Sequence, residues 1–323
     1  MIRSLSALVA LTFAAPLAAK DLPLAQPIDC TLGQTCYIQN YVDHDAGPGF
    51  TDFACGSLGY DTHKGTDFAL PDLAAMEAGV NVLAAAPGVV RGLRDGVPDI
   101  SIRAENAPDV TGRECGNGVV IHHGDGWETQ YCHLKKDSLA VQVGQRVAKG
   151  TVLGQVGLSG RTEFPHLHMA VRKDRNVVDP FAPNDPTACA PDTKQLWSQP
   201  LPYTPGGLLR SGFLDRVPEF AELKARDIGV AQLPRTAPAL VLWGYFYGVR
   251  QGDQIQFEIS GAGGFSHQQT FRATRNRALS FRASGKKQPR GGWKAGAYTG
   301  VVRHMRDGQE IGFIKTQMDI TSQ

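Results

Sequence analysis

The chain has 323 residues, of which 42% are hydrophobic and 20% are charged, and its formal net charge at pH 7 is +2. This composition is ordinary for a globular protein, and the length is sufficient for two domains. The sequence contains no internal repeat or low-complexity tract. The 37 glycines and 20 prolines favour many turns and few long helices.

The N-terminal residues 1–19 are predicted to be a secretory signal peptide. Arg3 provides the positive start, residues 5–13 form an apolar run too short to span a bilayer, and Ala18-Ala19 provides a small-residue cleavage site. No later apolar run is long enough for a transmembrane segment. We therefore expect a protein that works outside the cytoplasm, in the periplasm or secreted.

The six cysteines fit an exported chain, because disulfides form and persist in that environment. None of them belongs to a Cys-x-x-Cys pair, which argues against a cysteine-based zinc site or a redox motif. The expected pairs are Cys30–Cys36 within a local loop, Cys115–Cys132 across a hairpin, and Cys55–Cys189 from the remaining two cysteines.

The charge is divided unequally along the chain. Residues 20–204 hold 15 Lys and Arg against 22 Asp and Glu, whereas residues 205–323 hold 17 against 9. Such asymmetry predicts two domains with different partners. Residues 261–306 hold ten Lys and Arg and no acidic residue. They form either a solvated face or a surface for an acidic polymer or an acidic protein, since nucleic acid is not expected outside the cell.

In chain order, residues 20–59 are predicted to be a loop-rich, disulfide-containing segment, with a turn signal at Gly47-Pro48-Gly49. Asp72 is well placed to cap a short helix that ends at Ala78.

Short β runs follow at residues 80–86 and 89–93, and Pro87-Gly88 between them predicts a hairpin. Residues 94–114 are polar and contain two prolines, so we expect a long loop that forms one wall of a groove. Residues 118–122 and 128–133 flank a Gly-Asp-Gly turn and predict a second hairpin.

The dense prolines after residue 179 predict a linker at residues 183–210. A short helix is predicted at residues 215–226. Six β runs with Gly-rich turns then predict a small β-sandwich-like domain over residues 211–323. These runs are residues 240–247, 254–259, 269–273, 278–282, 297–302 and 311–318.

The chemistry of the chain is predicted to concentrate around His166 and His168, in the strand-like run 164–171. Because strand side chains alternate, both imidazoles point to the same side, and neutral imidazole is a common zinc ligand. Such a pair alone is more often solvated surface, so partners are needed. The candidate partners are His63, Asp67 and His133.

These five residues provide the groups that a zinc hydrolase needs. A catalytic zinc site takes three protein ligands and leaves one position for water, and a general base and a transition-state stabiliser must lie nearby. The sequence contains no Gly-x-Ser-x-Gly motif, and the expected pairing of the cysteines leaves no thiol as a different nucleophile.

With these residues the chain resembles the lysostaphin-type or LytM-type zinc metallopeptidases of bacterial cell walls. The resemblance covers roughly residues 60–180 and rests on six blocks in the same order. The blocks are His63-Lys64-Gly65-Thr66-Asp67-Phe68-Ala69, Ala85-Ala86-Pro87-Gly88-Val89-Val90, Gly116-Asn117-Gly118-Val119-Val120-Ile121, Tyr131-Cys132-His133-Leu134, Val143-Gly144-Gln145-Arg146-Val147 and Pro165-His166-Leu167-His168.

The resemblance implies an all-β protein, with an antiparallel β-sheet peptidase domain at residues 60–182 and a groove across the sheet. It also implies one zinc ion held by His63, Asp67 and His168. By the same resemblance, His133 and His166 are catalytic and act on the water and on the developing oxyanion.

The implied function is that of an exported zinc metalloendopeptidase that hydrolyses the peptide cross-links of peptidoglycan, with its stem peptides as substrate. The alternative is a non-catalytic LytM-type binding module that activates another cell-wall hydrolase, since some family members have lost zinc ligands. A protease of ordinary proteins is a further alternative, which casein hydrolysis would test.

Overall fold

The structure is a computed structural model that describes residues 21–184 and 194–322. Regular structure in these ranges is almost entirely β-strand, and the α-helices, α1 (Leu73–Ala78) and α2 (Phe220–Ala225), have six residues each. The predicted all-β class is confirmed. Among the described residues, no helix combines the length and apolar character needed to span a bilayer. The predicted signal peptide at residues 1–19 lies outside the described ranges.

The first half of the chain forms one large antiparallel sheet, with a small second sheet beside it. The large sheet has the strand order β1-β2-β9-β6-β5-β4-β7, with β10 paired to β9, and β3 pairs with β8 separately. The strands are β1 (Tyr37–Asn40), β2 (Thr66–Ala69), β3 (Asn81–Leu83), β4 (Gly88–Arg94), β5 (Asn117–Gly124), β6 (Trp127–Leu134), β7 (Arg146–Val147), β8 (Val152–Gln155), β9 (His166–Lys173) and β10 (Asn176–Val178).

The alternation of side chains along β9 gives the large sheet two different faces. Leu167, Met169 and Val171 are buried in the hydrophobic core of this half of the chain. His166 and His168 alternate with them along the strand and therefore point to the opposite face. The same strand thus supplies apolar side chains to the core and imidazoles to the other side, as the sequence pattern predicts.

The hairpin predicted around Pro87-Gly88 is wrong. Strand β3 pairs with β8, whereas β4 pairs with β5 and β7. The intervening Ala84, Ala85 and Ala86 are fully buried, so the chain passes through the core here instead of turning back at the surface. The second predicted hairpin, β5–β6, is confirmed.

Both predicted short helices are present. The Asp72 side chain accepts a hydrogen bond from the Ala75 amide at 2.8 Å and caps α1, as expected. Helix α2 is shorter than the predicted range 215–226, because it begins after a capping box between Glu219 and Glu222.

The long polar loop between β4 and β5 contains no strand or helix at residues 95–116. It is held against the segment that leads into β9. The Ile102 amide donates to the Thr162 carbonyl at 3.0 Å, and the Arg161 amide donates to the Glu114 carbonyl at 2.7 Å. The loop therefore lies beside the chain that carries His166.

The second half of the chain is a β-sandwich. Its sheets have the orders β11-β13-β16 and β12-β18-β17-β14-β15, and Phe213, Leu242 and Phe246 of the first pack with Phe257 and Val302 of the second. Five of the six predicted β runs lie within strands, and the sixth, 269–273, extends one residue beyond the end of its strand at Arg272. The strands are β11 (Gly207–Leu214), β12 (Gln232–Pro234), β13 (Ala239–Val249), β14 (Gln254–Gly261), β15 (Phe265–Arg272), β16 (Arg277–Lys287), β17 (Gly296–Arg306) and β18 (Gln309–Thr321).

The start of the sandwich corrects the predicted boundary between the linker (183–210) and the domain (211–323). Strand β11 begins at Gly207, which pairs with Tyr247. Residues 207–210 therefore belong to the sandwich, because ladder hydrogen bonds to a distant strand order a stretch that looked like linker.

Two of the three expected disulfides are confirmed, Cys30–Cys36 and Cys115–Cys132. The third involves Cys189, which lies outside the described residues, although Cys55 is not free. Disulfides of this kind form and persist in an oxidising compartment.

The two halves of the chain are in direct contact. Tyr37 on β1 and Tyr247 on β13 have ring centroids 4.5 Å apart and share a buried cluster with Ala69 on β2. The Arg210 guanidinium pairs with the buried Asp72 carboxylate. The sandwich therefore packs on the edge of the large sheet that is formed by β1 and β2.

A buried charged cluster lies inside the sandwich. Arg306 donates to both carboxylate oxygens of Asp253 at 2.9 and 2.8 Å, and His304 Nε2 bonds the same carboxylate at 2.7 Å. Burial alone would raise the pKa of Asp253, but His304 and Arg306 hold that pKa well below its usual range. Arg306 also donates to the Pro205 and Gly248 carbonyls.

We expect Asp253→Ala to lower the free energy of unfolding by about 3–5 kcal/mol, because it leaves the buried Arg306 charge uncompensated. The measurement is urea unfolding followed by circular dichroism. Glu310→Ala is the control, since the exposed Arg303–Glu310 pair, 3.2 Å apart, is expected to contribute less than about 1 kcal/mol. Equal losses in the two variants would contradict this prediction.

Candidate metal centre

The structure brings His63, Asp67 and His168 together on the face of the large sheet opposite the core. Asp67 Oδ1 lies 2.8 Å from His168 Nδ1 and 3.2 Å from His63 Nε2, and the two ring nitrogens are 3.1 Å apart. One ligand atom from each of the three residues lies within 4.8 Å of the other two. This is a group that could hold a metal ion.

Strand pairing creates this convergence. Asp67 on β2 is directly opposite His168 on β9, so their side chains leave the sheet together. His63 lies in the turn before β2 and reaches the same point from the side. Gly65, between His63 and Asp67, leaves no room for a side chain, because a Cβ there would lie 2.6 Å from His168 Nε2.

These side chains are oriented by two groups that were not predicted from the sequence. The Asn40 amide donates to Asp67 Oδ2 at 2.7 Å, and His63 Nδ1 donates to the Tyr41 carbonyl at 2.6 Å. Partners of this kind fix the orientation of metal ligands and the tautomer of histidine. Asn40 follows from nothing local in the sequence, because it meets Asp67 only through the pairing of β1 with β2.

The donor set fits a cation. A carbonyl only accepts, so His63 Nδ1 carries a proton, and Nε2, which faces Asp67, is the atom that this ring can offer to a cation in place of a second proton. Burial alone would raise the pKa of Asp67, but His63 and His166 hold it well below its usual range, so the carboxylate is ionised. Burial alone would lower the pKa of His63, but the neighbouring Asp67 carboxylate raises this pKa above its usual value. Lone pairs and a negative charge thus meet in a buried space that favours a positive ion.

His133 and His166 lie beside this group. Their ring centroids are 4.6 Å apart, and His166 Nε2 is 3.5 Å from Asp67 Oδ1. Each ring is held through Nδ1, which donates to the Ser159 carbonyl at 2.8 Å in His133 and to the Phe164 carbonyl at 2.9 Å in His166. All five predicted site residues are therefore in one place.

Burial sets the protonation of these two histidines. It lowers the pKa of His133 well below its usual value, and the neighbouring His166 and His168 lower it further. Burial also lowers the pKa of His166, against the opposing effect of Asp67. At neutral pH both rings are neutral, with Nε2 lone pairs directed into the site.

Comparison with known proteins gives the family of this region. The sequence profile of peptidase family M23 matches residues 61–180. This segment is a peptidase M23 domain. The expected resemblance to LytM-type peptidases over roughly residues 60–180 is thereby confirmed.

Several relatives carry descriptive names. The chain is 33% identical over 134 residues to the peptidoglycan DD-endopeptidase ShyA of Vibrio cholerae, over 42% of this chain and 26% of ShyA. It is 34% identical over 127 residues to the DD-carboxypeptidase/endopeptidase Mpg of Neisseria meningitidis, over 39% of this chain and 23% of Mpg. The matches span about a quarter of the length of these curated relatives.

The chain is also similar to a cell division protein and to a peptidase of known structure. The cell division protein DipM of Caulobacter vibrioides is 41% identical over 76 residues, which are 24% of this chain and 12% of DipM. A solved structure of a zinc-containing peptidase from Vibrio cholerae is 26% identical, with a TM-score of 0.29, over 45% of this chain and 39% of that chain.

We expect Gly65→Ala to weaken metal binding by at least about tenfold, because the added methyl group displaces His168 from the other two donors. The measurement is metal titration in competition with a chromophoric chelator. Gly92→Ala is the matched control, since Gly92 lies on β4 of the same sheet and a Cβ there meets nothing within 4 Å. A Gly65→Ala variant that binds metal as tightly as the control would show that His168 is not held there.

Proposed function

We propose that this protein is an exported zinc metalloendopeptidase that hydrolyses peptide cross-links of peptidoglycan. The observation that carries the proposal is the convergence of His63, Asp67 and His168 with two further neutral histidines beside them. Three protein donors leave one position open, which is the arrangement of catalytic zinc sites and differs from the four-ligand structural ones.

Zinc is the proposed ion because the donor set consists of two imidazoles and one carboxylate. Hard cations such as Mg²⁺ and Ca²⁺ prefer oxygen ligands alone, whereas imidazole nitrogen suits zinc. His63, Asp67 and His168 are the proposed ligands, with Asn40 and the Tyr41 carbonyl orienting them. A bound zinc ion would supply an acidified water ligand and would polarise the carbonyl under attack.

His133 and His166 are the proposed catalytic residues. Because the Nδ1 of each ring is occupied by a backbone carbonyl, only Nε2 is free to exchange a proton with the reacting groups. With zinc bound, one ring would take the proton of the attacking water at its Nε2 lone pair. The other would stabilise the developing oxyanion once its own Nε2 has taken up a proton. A neutral resting state suits a base at neutral pH, and burial provides that state here.

Peptidoglycan is the proposed substrate because two relatives of the M23 domain are named as endopeptidases, one of them explicitly for peptidoglycan. The predicted signal peptide and the two disulfides support the periplasm or the outside of the cell as the place of action. Stem peptides would lie along the polar face of the sheet, across the metal centre.

The test separates ligands from catalytic groups. We expect His168→Ala and Asp67→Ala to purify largely free of zinc. His133→Ala and His166→Ala should keep near-stoichiometric zinc and lose about 10²–10⁴ in rate, as is typical when a general acid or base is removed. Zinc is measured by plasma mass spectrometry and activity by release of soluble muropeptides from purified sacculi.

Each variant must have the circular dichroism spectrum of the wild-type protein, since a collapsed fold loses metal for trivial reasons. A His168→Ala variant that keeps both its zinc and its activity would overturn the assignment of His168 as a ligand. A wild-type protein that binds zinc but leaves sacculi and casein intact would instead favour a non-catalytic module that activates another hydrolase. Cleavage of casein together with intact sacculi would indicate a general protease.

A further inference from the structure

The sandwich carries a strip of positive charge along one of its sides. Strand β16 is the edge of the three-stranded sheet and β15 is the edge of the five-stranded sheet, and His267 on β15 bonds Ser284 on β16 at 2.8 Å. The two edge strands therefore lie side by side. Their exposed basic residues, with those of the adjoining turns, are called the basic strip here. They are Arg272, Arg275, Arg277, Arg282, Lys286, Lys287, Arg290 and Lys294.

The basic strip is not neutralised by its surroundings. Of the ten Lys and Arg in residues 261–306, only Arg303 and Arg306 form ion pairs within the described ranges, with Glu258, Glu310 and Asp253. No acidic residue lies on β13, β15 or β16. The eight exposed charges thus add up and create a field that attracts anions.

One end of the basic strip reaches the wall of the metal centre. Gln39 on β1 donates to the carbonyl of Ala278 on β16 at 3.1 Å, and the next residue, Asn40, holds Asp67. A cleft of about 190 Å³ opens at this point, lined by residues that include Asn40 and Arg277. Arg277 is thus the residue of the basic strip that shares a cleft with Asn40, the partner of Asp67.

Apolar packing at the same place holds the start of β16 against the large sheet, so the basic strip runs away from the metal centre along this strand. Leu279 on β16 packs against the cluster formed by Tyr37, Ala69 and Tyr247, and Phe164 packs on that cluster too. Phe164 in turn stacks on His166, with ring centroids 4.5 Å apart. From Arg277, at this end of β16, to Lys287 the strand extends roughly 33 Å at about 3.3 Å per residue.

We propose that the basic strip binds the carboxylates of the same peptidoglycan polymer whose cross-link lies at the metal centre. This inference rests on the proposed function. Stem peptides carry free carboxylates, and a strip that runs this far from the metal can engage several of them on one polymer. Several weak contacts on one linked ligand combine into tight binding, whereas a single short peptide cannot reach them all.

The test compares two triple variants in the full-length protein. Arg282→Glu/Lys286→Glu/Lys287→Glu reverses the far part of the strip, away from the metal centre. The matched control, Arg91→Glu/Arg146→Glu/Lys149→Glu, reverses three exposed charges on β4, β7 and the turn after β7, at the other edge of the large sheet. Binding to purified sacculi is measured by sedimentation of EDTA-treated protein in 50 mM and 300 mM salt, and turnover is measured on a soluble cross-linked muropeptide dimer.

We expect the strip variant to bind sacculi at least about tenfold more weakly than wild type in low salt, with little remaining salt dependence. Its kcat/KM on the muropeptide dimer should equal that of wild type, and the control should retain sacculus binding. Unchanged binding of the strip variant, or equal losses in both variants, would overturn the proposal. Wild-type protein that binds sacculi through the strip but never cuts them would overturn only the proposed function.

A second inference rests on a separate observation, the backbone of His133. This residue has a φ of 64°, in the left-handed region that residues with a side chain rarely adopt. Such a conformation persists only where its surroundings enforce it. The His133 amide donates to the Cys115 carbonyl at 2.8 Å, and Cys115 is bonded to Cys132, the neighbour of His133.

These bonds form a closed ring next to the site. It runs from the Cys115 carbonyl through the disulfide to Cys132 and returns through the His133 amide. We infer that Cys115 and Cys132 are positioning residues, which hold His133 so that Nε2 faces the metal centre. This also rests on the proposed function, because it assigns the disulfide a role in the rate beyond its effect on folding.

The test is a double-mutant cycle on the muropeptide dimer. Cys115→Ser/Cys132→Ser should keep zinc and KM while kcat falls by about 10- to 100-fold, since small displacements of a catalytic group have effects of this size. In the His133→Ala background the same pair should change the residual kcat by less than about twofold, because there is no imidazole left to position. Cys30→Ser/Cys36→Ser is the matched control and should keep kcat.

If the double variant does not fold, the same readouts are taken on wild-type protein reduced with a phosphine and alkylated, with mass spectrometry identifying the opened pair. An unchanged kcat after loss of the Cys115–Cys132 bond would overturn the inference. So would an equal loss of kcat with and without His133. Zinc content that falls with kcat would show that the disulfide acts on the metal site instead.

Discussion

The pairing of β2 with β9 is the constraint on which the rest of the site depends. It sets Asp67 opposite His168 and, through the pleat, turns both away from the core that Leu167 and Met169 enter. A shift of the register by one residue would move every side chain to the other face of the sheet and bury the imidazoles in apolar surroundings. The hydrophobic core of β9 and the polar centre above it are thus two results of one alignment.

A buried carboxylate is costly unless it is compensated, and the surroundings of Asp67 provide that compensation. Asn40 donates to one oxygen, while His63 and His168 approach the other. Two more histidines lie nearby, and burial keeps these two, His133 and His166, neutral. The sheet therefore concentrates lone pairs around one charge, which is an unfavourable arrangement for protein groups alone and a favourable one around a cation.

The sequence alone predicts those parts of this arrangement that depend on local patterns. His166 and His168 share a face because alternation needs only one strand, and the Asp72 cap and the Cys30–Cys36 loop are equally local. The contact of Asn40 with Asp67 could not be predicted, since it requires β1 to pair with β2. The failed hairpin at Pro87-Gly88 has the same origin, because periodicity identifies strands but does not choose their partners.

The proline-rich stretch gave an incomplete picture of how the two halves relate. A linker does not show which surfaces of the two domains meet, whereas the structure shows that Tyr247 and Arg210 of the sandwich contact Tyr37 and Asp72 of the first domain. Asp72 both caps α1 and pairs with Arg210, so one carboxylate orders local structure and the contact between domains. Because that contact covers the edge formed by β1 and β2, the sandwich forms part of the surroundings of the metal centre. A change in the packing of the sandwich against β1 would therefore act on Asp67 through Asn40, which donates to its carboxylate.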